Sequence, residues 1–198
     1  MARTSNREKI LTEGLRVVHE RGFANASVRD IVQAAGVPQG SFTNHFASKE
    51  AFGLEIIDLY DAAGRALGAR TLLNEALPPL QRLHAWLQAG RESMAACSMR
   101  NGCLLGNFAA DACEQSGSIR RRVLAAFSEL QASVACCLRA AVAAGEIDAQ
   151  LDCDDVAGFI VASLQGANLL AKVTGEAAPL DRFERLLFER ILPAPRSS

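Results

Sequence analysis

The sequence contains no uninterrupted run of 18 apolar residues, and its first nine residues are polar and charged rather than the start of an apolar leader. A membrane-spanning helix needs about 20 apolar residues, and a secretory signal needs an apolar core after its basic start. We therefore expect no membrane partner, no secretory signal and a location in the cytoplasm.

Glycine and proline are also sparse, with 15 and 6 residues in a chain of 198. This content is too low for a collagen-like chain, and a hydrophobic fraction of 49% is too high for a disordered one. The length suffices for one large domain or two smaller ones with a buried core.

Metal-binding patterns are missing, because the chain has no CxxC pair and its three histidines (His19, His45 and His84) are scattered. We expect no metal site. The six cysteines of a cytoplasmic protein are expected to be reduced, so a disulfide framework is not predicted. Most of them are interpreted as small buried apolar groups.

Common active-site patterns are absent as well. The chain has no glycine-rich phosphate loop, no nucleophile elbow, no HExxH motif and no paired carboxylates in a plausible cleft. We therefore expect neither enzymatic activity nor a cofactor.

The net charge of −1 excludes a uniformly basic nucleic-acid coat protein, but the charge is unevenly distributed. Residues 1–50 contain seven Lys/Arg and five Asp/Glu, whereas residues 51–198 contain fourteen and seventeen. The N-terminal region is therefore mildly basic and the rest of the chain acidic, which is compatible with contact between the N-terminal region and a polyanion.

Helix signals occur throughout the chain, and strand signals are nearly absent, so the predicted fold is all-α with about nine helices. The predicted helices are 3–21, about eight residues after Ser27, 38–45, 49–70, 79–99, 103–113, 119–144, 153–174 and 179–192, followed by a frayed tail over 193–198. Ser27 with Asp30 predicts a capping box, and Asp152 with Gly175 predicts the two ends of the eighth helix.

The first three helices are short, and the last two are separated by a Gly-containing turn, which is typical of a helix-turn-helix. Phe42 and Phe46 are expected to face inward and to leave a polar outer face that fits a major groove. The candidate base-contacting residues on this face are Gln39, Gly40, Ser41, Thr43 and Asn44.

Four residues around this helix are candidates for phosphate contacts: Ser27, Arg29, His45 and Lys49. Hydroxyls, cations and helix N-termini bind phosphate without reading sequence. An ordinary solvated helix explains the polar face as an alternative.

Three N-terminal stretches form a more specific pattern: GF at 22–23 with SVRDI at 27–31, AAGVPQGSF at 34–42, and HFASKEA at 45–51. They closely resemble the DNA-binding signature of the tetracycline-repressor (TetR) family over roughly residues 8–52. The resemblance implies a recognition helix from Pro38 to His45, a phosphate-contacting Lys49 and a homodimer on a palindromic DNA operator. It also implies a DNA-binding domain over 1–50 and a helical domain over 51–198 for ligand sensing and dimerisation.

One departure from the family pattern concerns two positions of the recognition helix. Family members often have tyrosine where this chain has Thr43 and His45. We therefore expect DNA binding with an altered base preference, in which His45 replaces an aromatic phosphate contact.

The last two helices carry apolar and small residues at helical spacing, which predicts a dimer interface. Its candidate residues are Val156, Phe159, Ile160, Ser163, Ala167, Leu170, Phe183 and Leu187. An intramolecular core explains the same stripes from pattern alone. A dimer is favoured because two recognition helices about 34 Å apart read a palindrome, whereas one discriminates poorly.

Trp86, Phe108 and Phe127 could line an apolar ligand pocket, although core packing is the more common role of such residues. Cys103 is a second candidate, because a thiol at a helix N-terminus has a lowered pKa and an increased thiolate fraction.

Two further segments, GCLLGN at 102–107 and GANLLAK at 166–172, resemble a TetR subgroup that includes repressors responsive to electrophiles such as N-ethylmaleimide, quinone-like compounds and aldehydes. The resemblance implies that Cys103 is the sensing thiol and that Lys172 lies close to it. A buried, inert Cys103 and a reversible ligand remain alternatives. For the whole protein, the alternative to a regulator is a helical interaction protein or ligand-binding module without sequence-specific DNA binding.

Overall fold

The computed structural model describes residues 5–192, and this part of the chain contains α-helices, one short π-helix and no strand. The helices are α1 (Asn6–Arg21), α2 (Val28–Ala34), α3 (Gly40–His45), α4 (Lys49–Arg70), α5 (Pro79–Ala96), α6 (Leu104–Ala112), α7 (Gly117–Ala143), α8 (Cys153–Thr174) and α9 (Ala178–Leu186), with the π-helix over Leu187–Ile191. The predicted all-α fold is confirmed. The predicted tail over 193–198 lies outside the described residues.

Several helix ends follow the capping signals of the sequence. Asp152 accepts hydrogen bonds from two N–H groups of the first turn of α8, and Gly175 ends α8 in the left-handed conformation at φ 72°. The capping box of α2 forms as predicted. The first helix begins at Asn6 rather than residue 3, because Ser5 is extended and caps it with Glu8.

The predicted C-terminal ends of α5 and of the last helix were wrong. α5 stops at Ala96 rather than residue 99, because Ser98 and Met99 take positive φ angles of 51° and 59°, which an α-helix does not tolerate. The last predicted helix, 179–192, changes character at Leu187, where the bond from Leu192 N–H to the Leu187 carbonyl (2.8 Å) closes a wider π-turn.

The chain divides into two compact units. The N-terminal unit comprises the residues up to Ala62 together with Leu104–Ala126, and the C-terminal unit comprises Ala63–Cys103 and the residues from Phe127 on. The predicted division into 1–50 and 51–198 differs from these units, because the first part of α4, α6 and the start of α7 group with the three N-terminal helices.

The core of the N-terminal unit includes three phenylalanine rings, Phe42, Phe46 and Phe52, whose centres lie 5.2–5.3 Å apart. Gly14 of α1 lets α4 approach closely, since a Cβ there would lie 2.5 Å from the Phe52 ring. These contacts fix α3 by its apolar side and support the predicted inward positions of Phe42 and Phe46.

The C-terminal unit has its own apolar core, formed by α5, the second part of α7, α8 and the π-helix. Its fully buried members include Leu83, Leu138, Ile147 and Ile160. Two side-chain contacts join α5 to α9: Nε2 of His84 lies 3.1 Å from Oε1 of Glu184, and Arg91 forms an ion pair with Asp181 at 2.8 Å.

Two helices, α7 and α8, are long and apolar enough to cross a membrane by length and composition alone. Buried residues of both, such as Leu138 and Ile160, belong to the core of the C-terminal unit. Because core helices pass the same test, the two helices are weak evidence for a membrane protein.

Candidate nucleic-acid interface

The N-terminus of α2 is held by Ser27 and Asp30. The Ser27 hydroxyl accepts from the Asp30 N–H at 3.1 Å and donates to Oδ2 of Asp30 at 2.5 Å. The predicted phosphate contact of Ser27 therefore involves a hydroxyl that already has a capping role, whereas Arg29 beside it is exposed.

Most of the predicted recognition residues lie together on one exposed face. Pro38, Gln39, Gly40, Thr43, Asn44 and His45 are all exposed. At Gly40 the space that a Cβ would occupy is open, so no atom of residues 5–192 obstructs the approach of a base edge there. We call this set of six residues the α3 face.

Ser41 was wrongly predicted to point outward, because only 8% of it is exposed. Its neighbour Phe42 is the inward anchor of a six-residue helix, and Ser41 shares the buried side with it. The α-helical segment also begins two residues later than predicted. The bonds from Ser41 N–H to Pro38 and from Phe42 N–H to Gln39 span three residues, so the first turn is tighter than α-helical.

The two positions that depart from the family pattern both sit on the α3 face. The Thr43 hydroxyl donates to the Gly40 carbonyl at 3.1 Å, which leaves its lone pairs and its methyl group at the surface. The His45 ring is exposed and meets the Phe46 ring edge-on, with 6.5 Å between ring centres.

Lys49 begins α4, and its side chain is held in a defined place. Its Nζ donates to the backbone carbonyl of Ala24 at 3.2 Å and lies 4.8 Å from the centre of the Phe23 ring. Partial burial lowers the pKa of the Lys49 ammonium. An ammonium has three N–H donors, so two remain for phosphate oxygens.

Glu50, the next residue, makes a contact that no local sequence signal predicted. Its Oε1 accepts from the Ser116 hydroxyl at 2.6 Å and also from the Ser118 hydroxyl. These hydrogen bonds lower the pKa of the Glu50 carboxyl. Ser116 also accepts the Ile119 N–H at 3.1 Å, so it caps α7 while it binds the first turn of α4.

The predicted dimer residues separate into three groups. Phe159 and Leu170 are exposed, whereas Val156, Ser163 and Phe183 are half-buried. Ile160, Ala167 and Leu187 were wrongly predicted, because each is at most 7% exposed within the single chain.

The three buried residues pack within the C-terminal unit. Ile160 and Leu187 belong to its main core, and the small side chain of Ala167 packs with Leu180 of the chain's own α9. Sequence reasoning missed Leu169 and Val173, which extend the exposed stripe. The α8 stripe is therefore Phe159, Leu169, Leu170 and Val173, exposed by between 50% and 75%.

The three predicted pocket aromatics belong to different units. Trp86 is buried in the core of the C-terminal unit, and Phe127 packs against that core. Phe108 is fully buried in the N-terminal unit, where its ring centre lies 4.9 Å from that of Phe23. A cleft of about 430 Å³ in the N-terminal unit has walls that include Phe23, Glu50, Asp111 and Ile119.

All six cysteines are free thiols. Cys103 is half-buried and immediately precedes α6, as predicted, after Gly102 at a positive φ of 67°. Lys172 is half-buried on α8. Cys97 and Cys136 are exposed, and Cys97 directly follows the last residue of α5 rather than lying inside a helix as predicted.

Comparison with known protein families gives two matches. Residues 10–56 match the family described as "Bacterial regulatory proteins, tetR family", and residues 79–187, more than half of the chain, match the "Tetracyclin repressor-like, C-terminal domain". The chain belongs to the TetR family. The resemblance noted in the sequence is thereby confirmed.

Relatives and solved structures agree with this assignment. The HTH-type transcriptional repressor DhaR of Mycobacterium sp. (strain GP1) is 36% identical over 98% of this chain and 96% of its own. The HTH-type transcriptional repressor NemR of Escherichia coli (strain K12) is 28% identical, over 88% of each chain. The crystal structure of regulatory protein TetR from Rhodobacter sphaeroides superposes with a TM-score of 0.88 at 32% identity, covering 92% of this chain and 96% of that one.

These findings confirm the predicted class of protein, a TetR family transcriptional regulator with an N-terminal helix-turn-helix. Similarity to NemR is consistent with the predicted subgroup. The family and these relatives are regulators rather than enzymes.

Proposed function

We propose that this TetR family protein is a homodimeric repressor that binds a palindromic operator through the α3 face of each subunit. A small molecule or a reactive electrophile then releases it from the operator. The observation that carries the proposal is the α3 face itself, a set of exposed small and polar groups on a helix whose opposite side is anchored by Phe42. Because its target is genomic DNA, the protein acts in the cytoplasm.

The α3 face has the chemistry needed to read bases. The Gln39 and Asn44 amides can each form a pair of hydrogen bonds with adenine, and the Thr43 methyl suits contact with thymine. Lys49, Arg29 and His45 lie around these groups and suit phosphate oxygens, which position the protein without specifying sequence.

The α8 stripe supports the homodimer. Four large apolar side chains exposed along one helix are costly in water, and an isologous contact between two copies of the stripe covers them. Leu186 of α9 is a further exposed apolar residue in the same unit. A dimer built this way gives the two recognition helices that a palindrome requires.

Release by an electrophile is assigned to Cys103. With N-ethylmaleimide, the thiolate sulfur would form a bond to one carbon of the ring C=C bond, its π pair would move to the adjacent carbon, and water would supply the proton. The adduct places a bulky group on a half-buried residue directly before α6. Lys172, half-buried on α8, is the proposed cationic neighbour of this thiol.

DNA binding is tested by electrophoretic mobility shift with the upstream DNA of the protein's own gene and with a randomised operator library. We expect a retarded band that requires a palindromic site. In Lys49→Ala, we expect weaker binding to every sequence and a salt dependence reduced by about one counterion. No shift with either DNA would contradict the proposed function.

Sensing is tested by treating operator complexes with N-ethylmaleimide. Wild type and Cys97→Ser, which removes an exposed thiol, should both release DNA, whereas Cys103→Ser should stay bound. Equal release of all three proteins would assign the response to another cysteine or to a reversible ligand.

A further inference from the structure

Phe23 lies in the turn that follows α1, and its ring lies close to Phe108 of α6, to Gly53 of α4 and to the Lys49 ammonium. Its centre is 4.9 Å from that of Phe108 on α6, with 31° between the ring planes. Its edge lies against Gly53 of α4, where a Cβ would come within 2.6 Å of the ring. The Lys49 ammonium lies 4.8 Å from the ring centre.

The backbone around this ring is also close to α6. Gly22 turns the chain at a positive φ of 83°, and a Cβ at Gly22 would lie 2.3 Å from Oδ2 of Asp111. A side chain at position 22 would therefore meet α6 directly. The carbonyl of Ala24, one residue beyond Phe23, accepts a hydrogen bond from the Lys49 ammonium.

These contacts place the charged end of Lys49 on a surface made by Phe23 and Ala24. A lysine side chain that is free in solution loses rotamer entropy when it is fixed. Contact with an aromatic face and a carbonyl fixes the side chain before DNA arrives, so less entropy remains to be lost on binding phosphate.

We propose that Phe23 is a positioning residue for Lys49, and that a displacement of α6 reaches Lys49 through the Phe23 ring. The inference rests on the proposed DNA contact of Lys49. Because the Phe108 ring packs on Phe23, a displacement of α6 moves Phe23 and takes the Lys49 ammonium out of its phosphate-binding position. The charge of Lys49 is unchanged in this process, and only its location differs.

The contact is tested without DNA by NMR of the full-length protein with reductively ¹³C-methylated lysines, a modification that keeps the charge. The chain has three lysines (Lys9, Lys49 and Lys172), so each methyl signal is assigned by a Lys→Arg variant. We expect the Lys49 signal to be shifted upfield by the ring current of Phe23. The shift should disappear in Phe23→Leu and change in Gly53→Ala, which pushes the ring aside.

The action of α6 is tested by Phe108→Leu, with Phe127→Leu as the matched control, whose ring packs against the core of the C-terminal unit. Phe108→Leu should change the upfield shift of Lys49, and Phe127→Leu should not. If Phe108→Leu does not fold, Asp111→Ala removes the α6 side chain that lies against Gly22, and the same change is expected. A Lys49 signal that has the same chemical shift in wild type and in both variants would overturn the proposed coupling between α6 and Lys49.

Operator affinity provides the second readout. Loss of a surface cation–π contact should weaken binding by about two- to fivefold in Phe23→Leu, with an unchanged salt slope because the positive charge remains. In a Lys49→Ala background, Phe23→Leu should have no further effect.

An equal loss in both backgrounds would mean that Phe23 acts on the fold in general, and would overturn the proposal. A wild type that binds no operator contradicts the proposed function instead. The ring-current measurement then still decides whether Phe23 positions Lys49.

Discussion

The side chains of Ser27 and Asp30 each accept a hydrogen bond from the backbone N–H of the other residue, both at 3.1 Å. This reciprocal pair satisfies two N–H groups that the start of α2 leaves without helical partners. Since α2 has seven residues, the cap accounts for a large share of the helix's local stabilisation. Removing it should therefore loosen the helix that supports α3.

Replacing Ser27 by alanine removes the cap. We expect the free energy of unfolding to fall by about 1 kcal/mol, which corresponds to a decrease of roughly 2–4 °C in Tm for a chain of this size. Thermal unfolding followed by circular dichroism measures the change. Ser27→Thr keeps the hydroxyl and should retain most of the stability; a Tm loss as large as that of alanine would contradict the cap.

Acid should weaken the same cap. Hydrogen bonds from Ser27 lower the pKa of the Asp30 carboxyl in the folded protein. Its stabilising contribution is therefore complete above the unfolded pKa of about 3.9, and it is lost as the pH falls through the lower folded value. Asp30→Asn should show a shallower loss of Tm below pH 4 than wild type, measured in a pH series. Parallel curves would show that Asp30 does not contribute.

Local signals predicted the fold and much of the α3 face. Asp152 and Gly175 determine the ends of α8 through contacts within one turn, and such ends can be read from sequence. Ser98 and Met99 carry no helix-breaking signal, yet both take left-handed backbone angles that stop α5. Those angles depend on tertiary context, so the prediction from sequence made α5 too long.

At the candidate sites, burial was the property that the sequence predicted least well. Helical spacing places Ile160 and Phe159 on the same predicted stripe, but the structure buries the first and exposes the second. Periodicity identifies apolar residues without saying what covers them. Likewise, the contacts of Glu50 with Ser116 and of Lys49 with Phe23 join residues far apart in sequence, and no local pattern encodes them.

Asn44 and Ser41 provide a direct contrast on α3, since the first is exposed and the second buried. Asn44→Ala should weaken operator binding by about 1–3 kcal/mol at particular base pairs and leave binding elsewhere unaffected. Binding to a set of single-base operator variants measures this. Ser41→Ala should leave the preference unchanged, and a change in base preference there would contradict its burial.

The α8 stripe should control dimerisation. Leu170→Glu places a charge on a residue that is 54% exposed in the chain and covered in the proposed dimer. We expect a monomer by sedimentation analysis and a large loss of operator affinity, because the monomer presents one recognition helix. Leu124→Glu on α7 is the control, since Leu124 is 65% exposed and lies outside the stripe. A Leu170→Glu dimer would show that another surface joins the subunits.

Adjacent cysteines on α7 should differ sharply in reactivity. Cys136 is exposed, whereas Cys137 is buried and donates to the Pro79 carbonyl at 3.2 Å. Burial raises the pKa of the Cys137 thiol to about 11, so little thiolate forms near neutral pH.

Iodoacetamide should therefore label Cys136 in the native protein and leave Cys137 untouched until the protein is unfolded in urea, as read by peptide mass spectrometry. Cys136→Ser provides the control, because it removes the native label on α7 without exposing its neighbour. Rapid native labelling of Cys137 in that variant would mean that α7 opens locally from α5, and would contradict its place in the core.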